Sequence, residues 1–243
     1  MIIDWHSHIL PQIDDGSRNL DESIKLLETL AEQGVERVIA TPHFIADKES
    51  VPNFIKRRNM AFEKLNQVVK DGMPEVYLGA EVEYYSGISR LADLKSLCIE
   101  NTNLLLLEMP ISPWRETTVN ELVNMATTKN VKLILAHIER MLKFQSSDTI
   151  EELVQSGILM QVNASFFTEL RTRRKALSLL KRGDIQLIGS DCHNLSSRAP
   201  KMDKALEIIK KSLGEEFFNQ VIEYGTSVLK KDKKQFNYLE RMI

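Results

Sequence analysis

The chain contains five histidines, and each falls within or just after a short apolar segment. They are His6, His8, His43, His137 and His193. Imidazole binds divalent transition metals and exchanges protons near neutral pH. Glu81 and Glu108 follow apolar segments in the same way, Glu108 after four leucines. Because a carboxylate is costly to bury without a cation, we expect metal ions at these positions.

The spacing of these side chains places two pairs of them on common faces. In an extended strand, residues two apart point to the same side. His6 and His8 form one such pair, and Asp191 and His193 form another. Mixed imidazole and carboxylate donors suit Mn²⁺, Fe²⁺ or Zn²⁺, and the lack of a Cys-x-x-Cys motif argues against a structural zinc site.

Seven short apolar segments, partly β-branched, are predicted to be strands: residues 2–9, 37–41, 76–82, 103–109, 132–136, 159–162 and 185–189. Segments predicted to be helices lie between and after them: residues 20–34, 53–71, 86–98, 115–130, 148–157, 171–183 and 200–213, with a further terminal helix and a polar segment within 212–243. This alternation is typical of a parallel sheet with helical crossovers. Six of the seven strands then deliver an imidazole or a carboxylate at one rim, where parallel barrels build their active sites.

The seven strand and helix units use nearly all of the 243 residues. That length is close to the ~250 residues of a (β/α) barrel. No Gly-, Ser- or Pro-rich linker divides the chain, so residues 1–243 are predicted to be one domain. An open doubly wound sheet is the alternative, but none of the ten glycines forms its usual G-x-G-x-x-G loop.

Composition excludes several classes of function. The chain has 34 acidic and 32 basic residues, so a net charge of −2 gives no electrostatic case for a nucleic acid partner. No apolar stretch approaches the ~20 residues that span a bilayer. Two cysteines are too few for a disulfide framework, and the first residues lack the pattern of a signal peptide. We therefore expect a cytoplasmic protein without membrane insertion.

Seven motifs follow one another from Met1 to about Arg198: Asp4-x-His6-x-His8, Asp14-Asp15-Gly16, Thr41-Pro42-His43, Gly79-Ala80-Glu81, Leu107-Glu108, His137-Ile138-Glu139-Arg140 and Asp191-x-His193-Asn194. In this order they resemble the polymerase and histidinol phosphatase (PHP) superfamily. More narrowly, they resemble the bacterial manganese-dependent protein-tyrosine phosphatases of capsule and exopolysaccharide gene clusters.

The resemblance implies a distorted (β/α)7 TIM-like barrel, the PHP fold, with three divalent metal ions. It implies manganese as the metal, with iron or zinc as alternatives. The implied ligands are His6, His8, Asp15, His43, Glu81, Glu108, His137, Asp191 and His193. The arginines that contact phosphate in the family correspond to Arg140 and Arg198.

The activity implied is hydrolysis of phosphotyrosine by a metal-activated water. Metal ions lower the pKa of bound water, and Arg140 and Arg198 are expected to hold the phosphoryl oxygens through forked hydrogen bonds. Cys192 is expected to face away from its neighbouring ligands, and no Cys-x5-Arg loop surrounds either cysteine. A cysteine-dependent phosphatase mechanism is therefore excluded. The implied partner is the phosphotyrosine tail of a bacterial tyrosine kinase that controls polysaccharide export.

Three other functions share the same ligands. A histidinol-phosphate or other small-molecule phosphatase would need a closed pocket, and a PHP-type nuclease would need a basic, aromatic-rich face. A metal-stabilised binding protein without activity would not need the complete ligand set. Two smaller expectations concern β-strand neighbours: Trp5 is expected to pack against a helix, and Asp4 either to orient a ligand imidazole or to cap the start of the strand.

Overall fold

The computed structural model describes residues 1–128 and 131–230. Within these ranges the strands are β1 (Ile3–Ser7), β2 (Arg37–Ala40), β3 (His43–Phe44), β4 (Glu75–Leu78), β5 (Glu81–Glu83), β6 (Leu104–Glu108), β7 (Lys132–Leu135), β8 (Leu159–Asn163) and β9 (Leu187–Gly189). The α-helices are α1 (Leu20–Glu32), α2 (Val51–Asn66), α3 (Glu116–Thr128), α4 (Ser147–Gln155), α5 (Ser165–Thr168), α6 (Leu170–Arg182), α7 (Met202–Leu213) and α8 (Glu215–Leu229). Short 3₁₀ segments cover Ile88–Arg90, Leu94–Leu97 and Ile138–Arg140.

The strands pair in parallel and form a curled sheet. Three pair in the order β1-β2-β4 and six in the order β3-β5-β6-β7-β8-β9. The chain connects the two sets of strands directly at two places. Strand β2 is followed at once by β3, across Pro42, and β4 is followed at once by β5, across Gly79. Ser7 forms a parallel bridge with Cys192, so β1 also meets the segment that follows β9. The expected parallel α/β architecture is confirmed.

Helix ends follow local sequence signals. Asn19 caps α1, where its side chain accepts a hydrogen bond of 2.9 Å from the Glu22 backbone nitrogen. Helix α6 ends at Gly183, whose φ of 79° lies in the left-handed region that glycine adopts without cost. These ends set the lengths of the crossovers and return each chain segment to the sheet.

The core lies on both faces of the sheet. In β6, Leu105 and Leu107 belong to the larger hydrophobic cluster, whereas Leu104 and Leu106 belong to a smaller one that also holds Trp5. A strand buried on both faces is typical of parallel sheets covered by helices. A Cβ added to Gly225 of α8 would lie 3.3 Å from Nε1 of Trp5, so the prediction that Trp5 packs against a helix is confirmed.

Two predicted elements differ from the structure. The predicted helix over residues 86–98 is wrong, because two 3₁₀ segments occupy this stretch. The predicted strand over residues 76–82 is two strands, β4 and β5, which pair in different strand orders. The terminal helix is α8, and the rest of the predicted polar segment, from residue 231, lies outside the described residues. None of the described helices is long and apolar enough to cross a bilayer.

Candidate metal centre

The predicted metal ligands all come from strand ends or the loops that follow them. His6 lies on β1 and His8 just after it, Asp15 lies in the loop before α1, His43 begins β3, Glu81 begins β5, Glu108 ends β6, His137 follows β7, and Asp191 and His193 follow β9. Because these strands are parallel, their carboxyl ends and loops meet at one end of the sheet. This common direction brings residues from opposite ends of the chain together.

Seven of the nine predicted ligands form three groups whose ligand atoms lie within 4.8 Å of one another. The groups are His8, Asp15, His43 and His193; His6, His8 and Glu81; and His43, Glu81 and Glu108. Three residues belong to two groups each, so the groups adjoin. His137 and Asp191 lie at their border: His137 Nε2 is 2.8 Å from Oε1 of Glu81, and Asp191 Oδ1 is 3.6 Å from Nε2 of His8. That these residues bind metal stays a prediction.

The Glu81 carboxylate lies at the centre of the cluster and is only 1% exposed. Its Oε2 lies 3.2 Å from Nε2 of His6 and 3.0 Å from Nδ1 of His43. Burial alone would raise the pKa of Glu81, but the surrounding imidazoles hold that pKa well below its usual value. Glu81 is therefore an anion that needs cations around it.

The histidines differ in their affinity for protons. Burial would lower the pKa of His6 and of His43, but Glu81 and further carboxylates outweigh burial and raise both values to about 9. His193 is the opposite case, since burial and the neighbouring His8 lower its pKa to about 4. Without metal, protons on His6 and His43 thus balance the buried carboxylates near neutral pH.

Hydrogen bonds on the outer side of the imidazoles fix their orientation. Nδ1 of His6 donates to Oε1 of Gln161 over 3.2 Å, and Nδ1 of His8 donates to Oδ2 of Asp14 over 2.8 Å. Nδ1 of His193 donates to the Asp191 carbonyl over 3.0 Å. In each case Nε2 is left for a ligand, which is the usual arrangement around metal-binding histidines.

Sequence reasoning missed Gln161 and Asp14 as parts of the site. Gln161 lies in a segment read as an apolar strand, and a polar residue within that strand was the available signal. Asp4, in contrast, does not orient an imidazole. Its Oδ1 accepts hydrogen bonds from the backbone nitrogens of Ser190 at 2.6 Å and His6 at 3.3 Å, which ties β1 to the segment after β9.

Backbone geometry at the site is strained in two places. His137 has φ of 31° and Asp191 has φ of 52°, both in the left-handed region. Such non-glycine conformations cost about 1–3 kcal/mol and cluster at functional sites. Position 189 needs a glycine for a different reason. The backbone there passes so close to His6 that a Cβ would lie 2.6 Å from Cβ of His6.

Arg140 and Arg198 converge on Asp191. Nη2 of Arg140 lies 2.6 Å from Oδ2 of Asp191, and Nη2 of Arg198 lies 2.9 Å from Oδ1. Asn163 donates to the same carboxylate over 2.7 Å. Together with Lys201, these residues line a cavity of about 200 Å³ that shares Asp191 with the cluster of candidate ligands. Burial would raise the pKa of Asp191, but the imidazoles of His6 and His8, together with the Arg198 guanidinium, lower it.

Neither cysteine is suited to nucleophilic chemistry. Both are buried and unpaired. Burial raises the pKa of Cys98 to about 11, and burial with nearby Asp4 raises the pKa of Cys192 further. A thiol rather than a thiolate is therefore present at neutral pH, which agrees with the exclusion of a cysteine-dependent mechanism.

Residues 2–230 match the family model described as capsular polysaccharide synthesis, CpsB/CapC. The chain belongs to the CpsB/CapC family. The chain is 28% identical over 243 residues to one relative, the tyrosine-protein phosphatase CpsB of Streptococcus agalactiae. The match covers 94% of this chain and 98% of that protein. The tyrosine-protein phosphatase YwqE of Bacillus subtilis is 26% identical, covering 94% of this chain and 92% of YwqE.

The fold agrees with CpsB/CapC membership. A solved structure, from a study of YwqE of Bacillus subtilis and CpsB of Streptococcus pneumoniae described as unique metal-dependent tyrosine phosphatases, superposes with a TM-score of 0.80. Sequence identity to it is 23%, and the match covers 93% of this chain and 94% of that one. The resemblance read from the motifs of the sequence is thus confirmed at the level of family and fold.

Proposed function

We propose that this chain is a metal-dependent protein-tyrosine phosphatase, a phosphoric monoester hydrolase. The observation that carries the proposal is the position of Arg140 and Arg198, which line one cavity directly beside three adjoining groups of imidazole and carboxylate ligands. Two guanidinium groups match the oxygens of a phosphoryl group, and the ligand groups match the ions that assist its hydrolysis. The named activities of CpsB and YwqE support the choice of phosphotyrosine.

The donor set fits divalent metal ions. Nε2 of His193 is buried without a hydrogen-bond partner, although Oδ1 of Asp15 lies 3.3 Å from it. A lone pair in that position is satisfied by an ion. We propose three ions, manganese in the first place with iron or zinc as alternatives, held by the nine residues His6, His8, Asp15, His43, Glu81, Glu108, His137, Asp191 and His193.

The residues of the chain then have separate roles. The ions, when bound, supply Lewis acidity and an activated water. Arg140 and Arg198 hold the phosphoryl oxygens and stabilise the charge that shifts among them as the ester bond breaks. Asn163 and both arginines fix the carboxylate of Asp191 between the cavity and the ligand groups. The strained Asp191 backbone keeps this side chain at the boundary.

The finer architecture and the partner are part of the same proposal. The bridge between Ser7 and Cys192 supports closure of the sheet into a distorted (β/α)7 barrel, with β2–β3 and β4–β5 each counted as one strand position. We place the whole chain, residues 1–243, in one such domain in the cytoplasm. The proposed substrate is the phosphotyrosine tail of a bacterial tyrosine kinase controlling capsule or exopolysaccharide synthesis. The family's description, capsular polysaccharide synthesis, supports the link to capsule.

The test is phosphate release by chelator-stripped protein, with and without added Mn²⁺. A phosphotyrosine peptide, histidinol phosphate and a single-stranded oligonucleotide are compared as substrates. We expect Mn²⁺-dependent release from the peptide and little from the other two. Faster turnover of histidinol phosphate, or cleavage of the oligonucleotide, would assign the site to a small-molecule phosphatase or a nuclease instead. Binding of metal without any turnover would leave a binding protein.

A further inference from the structure

Large hydrophobic side chains are exposed around the mouth of the site. Among the described residues five such side chains are exposed: Met60, Tyr85, Ile111, Leu170 and Leu195. All except Met60 lie in segments that follow the carboxyl ends of strands, after β5, β6, β8 and β9 respectively. The ends of β5, β6 and β9 carry candidate metal ligands, and the end of β8 carries Asn163, which lines the cavity beside them. The exposed apolar surface is therefore concentrated where a substrate must enter.

Two of these residues lie close in the chain to residues that line the cavity of Arg140 and Arg198. Leu170 is 82% exposed and directly follows Glu169, which lines the cavity. Leu195 is 41% exposed and lies in the same loop as Ser197 and Arg198, which also line it. A polar cavity with an exposed apolar residue in each of two segments that contribute to its lining is an arrangement that fits an amphipathic ligand.

Hydrogen bonds hold the backbone next to both leucines. Oδ1 of Asn194 accepts from the Ser196 backbone nitrogen at 2.9 Å and from the Arg198 backbone nitrogen at 3.1 Å, which closes the turn that carries Leu195. The bend before Leu170 is held by the Arg173 guanidinium, which donates to the carbonyls of Phe167 and Thr168 at 3.1 Å each. Both exposed leucines thus extend from backbone segments that hydrogen bonds hold in place.

We propose that Leu170 and Leu195 form a docking surface for the apolar residues that flank phosphotyrosine in an extended peptide. The inference rests on the proposed function. A cavity of about 200 Å³ has room for one phosphorylated side chain, so the neighbouring residues of a protein substrate must lie outside it. Leu170 and Leu195 are exposed apolar residues close in the chain to residues that line that cavity. The surface selects an unfolded phosphopeptide with apolar flanks over a small phosphate ester.

The test compares two phosphotyrosine peptides on the metal-loaded protein, one with leucine and one with serine on either side of the phosphotyrosine. We expect the leucine-flanked peptide to have a kcat/KM about tenfold higher, as partial burial of two leucines implies. The Leu170→Ser, Leu195→Ser double variant should lose this preference. Its kcat/KM for the serine-flanked peptide and for p-nitrophenyl phosphate should stay unchanged. Met60→Ser, a matched change in the middle of α2, should keep the preference.

Each contrary outcome has a distinct meaning. A preference retained by the double variant overturns the docking surface, and so does an equal loss on p-nitrophenyl phosphate, which would indicate a structural role. Leucine-dependent binding to anionic lipid vesicles without any peptide preference would assign the leucines, and the basic residues that follow Leu170 on α6, to a membrane surface. If the wild-type protein hydrolyses neither peptide, the proposed function fails. Fluorescence anisotropy of the two labelled peptides then makes the same comparison through binding, where a lost preference supports the surface and an unchanged one overturns it.

Discussion

Nε2 of His6 lies 3.1 Å from Nε2 of His8. Both Nδ1 atoms are hydrogen bonded to acceptors on the outer side, Gln161 for His6 and Asp14 for His8. The two inner nitrogens therefore face each other across carboxylate oxygens. Oε2 of Glu81 lies 3.2 Å from each of them, and Oδ1 of Asp191 lies 3.7 Å from that of His6 and 3.6 Å from that of His8. Nitrogen ligands about 2.1 Å from one ion lie at such a separation from each other. This pair is the clearest geometric sign that the chain is built around cations.

Metal binding should release protons. Imidazole must be neutral to bind a metal, and the carboxylates raise the pKa of His6 and His43 to about 9 in the metal-free chain. Between pH 7 and 8 these protons must leave when Mn²⁺ enters, so affinity should rise with pH and level off above about pH 9. Calorimetric titration in buffers of different ionisation enthalpy measures the protons released. Binding without proton release at pH 7 would contradict these pKa values.

Gln161 should control metal affinity without touching metal. Its Oε1 accepts from Nδ1 of His6 at 3.2 Å and from the backbone nitrogen of His137 at 2.7 Å. Removing such an orienting group lowers metal affinity by about 10–100-fold, and we expect this for Gln161→Leu. The control is Gln186→Leu, since Gln186 is also buried but bonds the Met160 backbone. That change should lower stability and leave affinity per folded molecule unaltered. Equal effects of the two changes on affinity would remove the special role of Gln161.

Arg140 and Arg198 should matter for turnover far more than for metal content. Loss of one preorganised donor to the transition state typically costs about 10²–10³ in kcat, and we expect this for Arg140→Ala and Arg198→Ala. Lysine should restore little, because it lacks the forked geometry. Arg174→Ala, an exposed arginine on α6, is the control. Because both arginines also donate to the proposed ligand Asp191, metal content is measured by mass spectrometry at saturating Mn²⁺, where it should stay constant. Unchanged kcat with full metal content would exclude the arginine from the mechanism.

Glu139 should destabilise the protein at high pH. Burial raises the pKa of Glu139 to about 7, and its Oε2 has no hydrogen-bond partner. Because the folded-state pKa lies above that of the unfolded chain, the contribution to stability is fully present below about pH 4.5 and is lost as pH rises through about 7. Glu139→Gln stays neutral and should be more stable above pH 7, by up to about 3 kcal/mol. Urea denaturation of chelator-treated protein at pH 4.5 and 8 measures this. A stability difference that does not change with pH would contradict the raised pKa.

Only part of the candidate ligand set could be predicted from general rules. Parallel strands end at one rim, and alternation along β1 places His6 and His8 on one face. The complete set of nine, Asp15 included, is implied by the family resemblance, and Asp191 follows β9 with a left-handed φ of 52° to which strand alternation does not apply. The role of Gln161 could not be predicted, because the sequence shows a polar residue inside an apolar strand but does not show which residues it contacts. Its role depends on the distance between β8 and both β1 and the segment after β7.

The predicted helix over residues 86–98 was wrong for a local reason. Ile88, Leu91, Leu94 and Leu97 are three residues apart throughout. This period equals the turn of a 3₁₀ helix, whereas an α-helical face alternates steps of three and four. The division of β2 from β3 at Pro42 and of β4 from β5 at Gly79 could not be predicted either. The chain stays extended at both places, and only the pairing with neighbouring strands separates the two strands.

The tie between β1 and the segment after β9 has a consequence for the newly made chain. Oδ1 of Asp4 accepts from the Ser190 nitrogen across a separation of 186 positions, and the Asp191 nitrogen donates to the His6 carbonyl over 2.8 Å. His6, the first candidate ligand to be synthesised, can therefore meet its partners after β9 only when nearly all of the described chain has left the ribosome. Contacts this distant in sequence also slow folding. The complete set of candidate ligands therefore exists only after folding, so we expect the full site to bind metal in folded chains and not in partly synthesised ones.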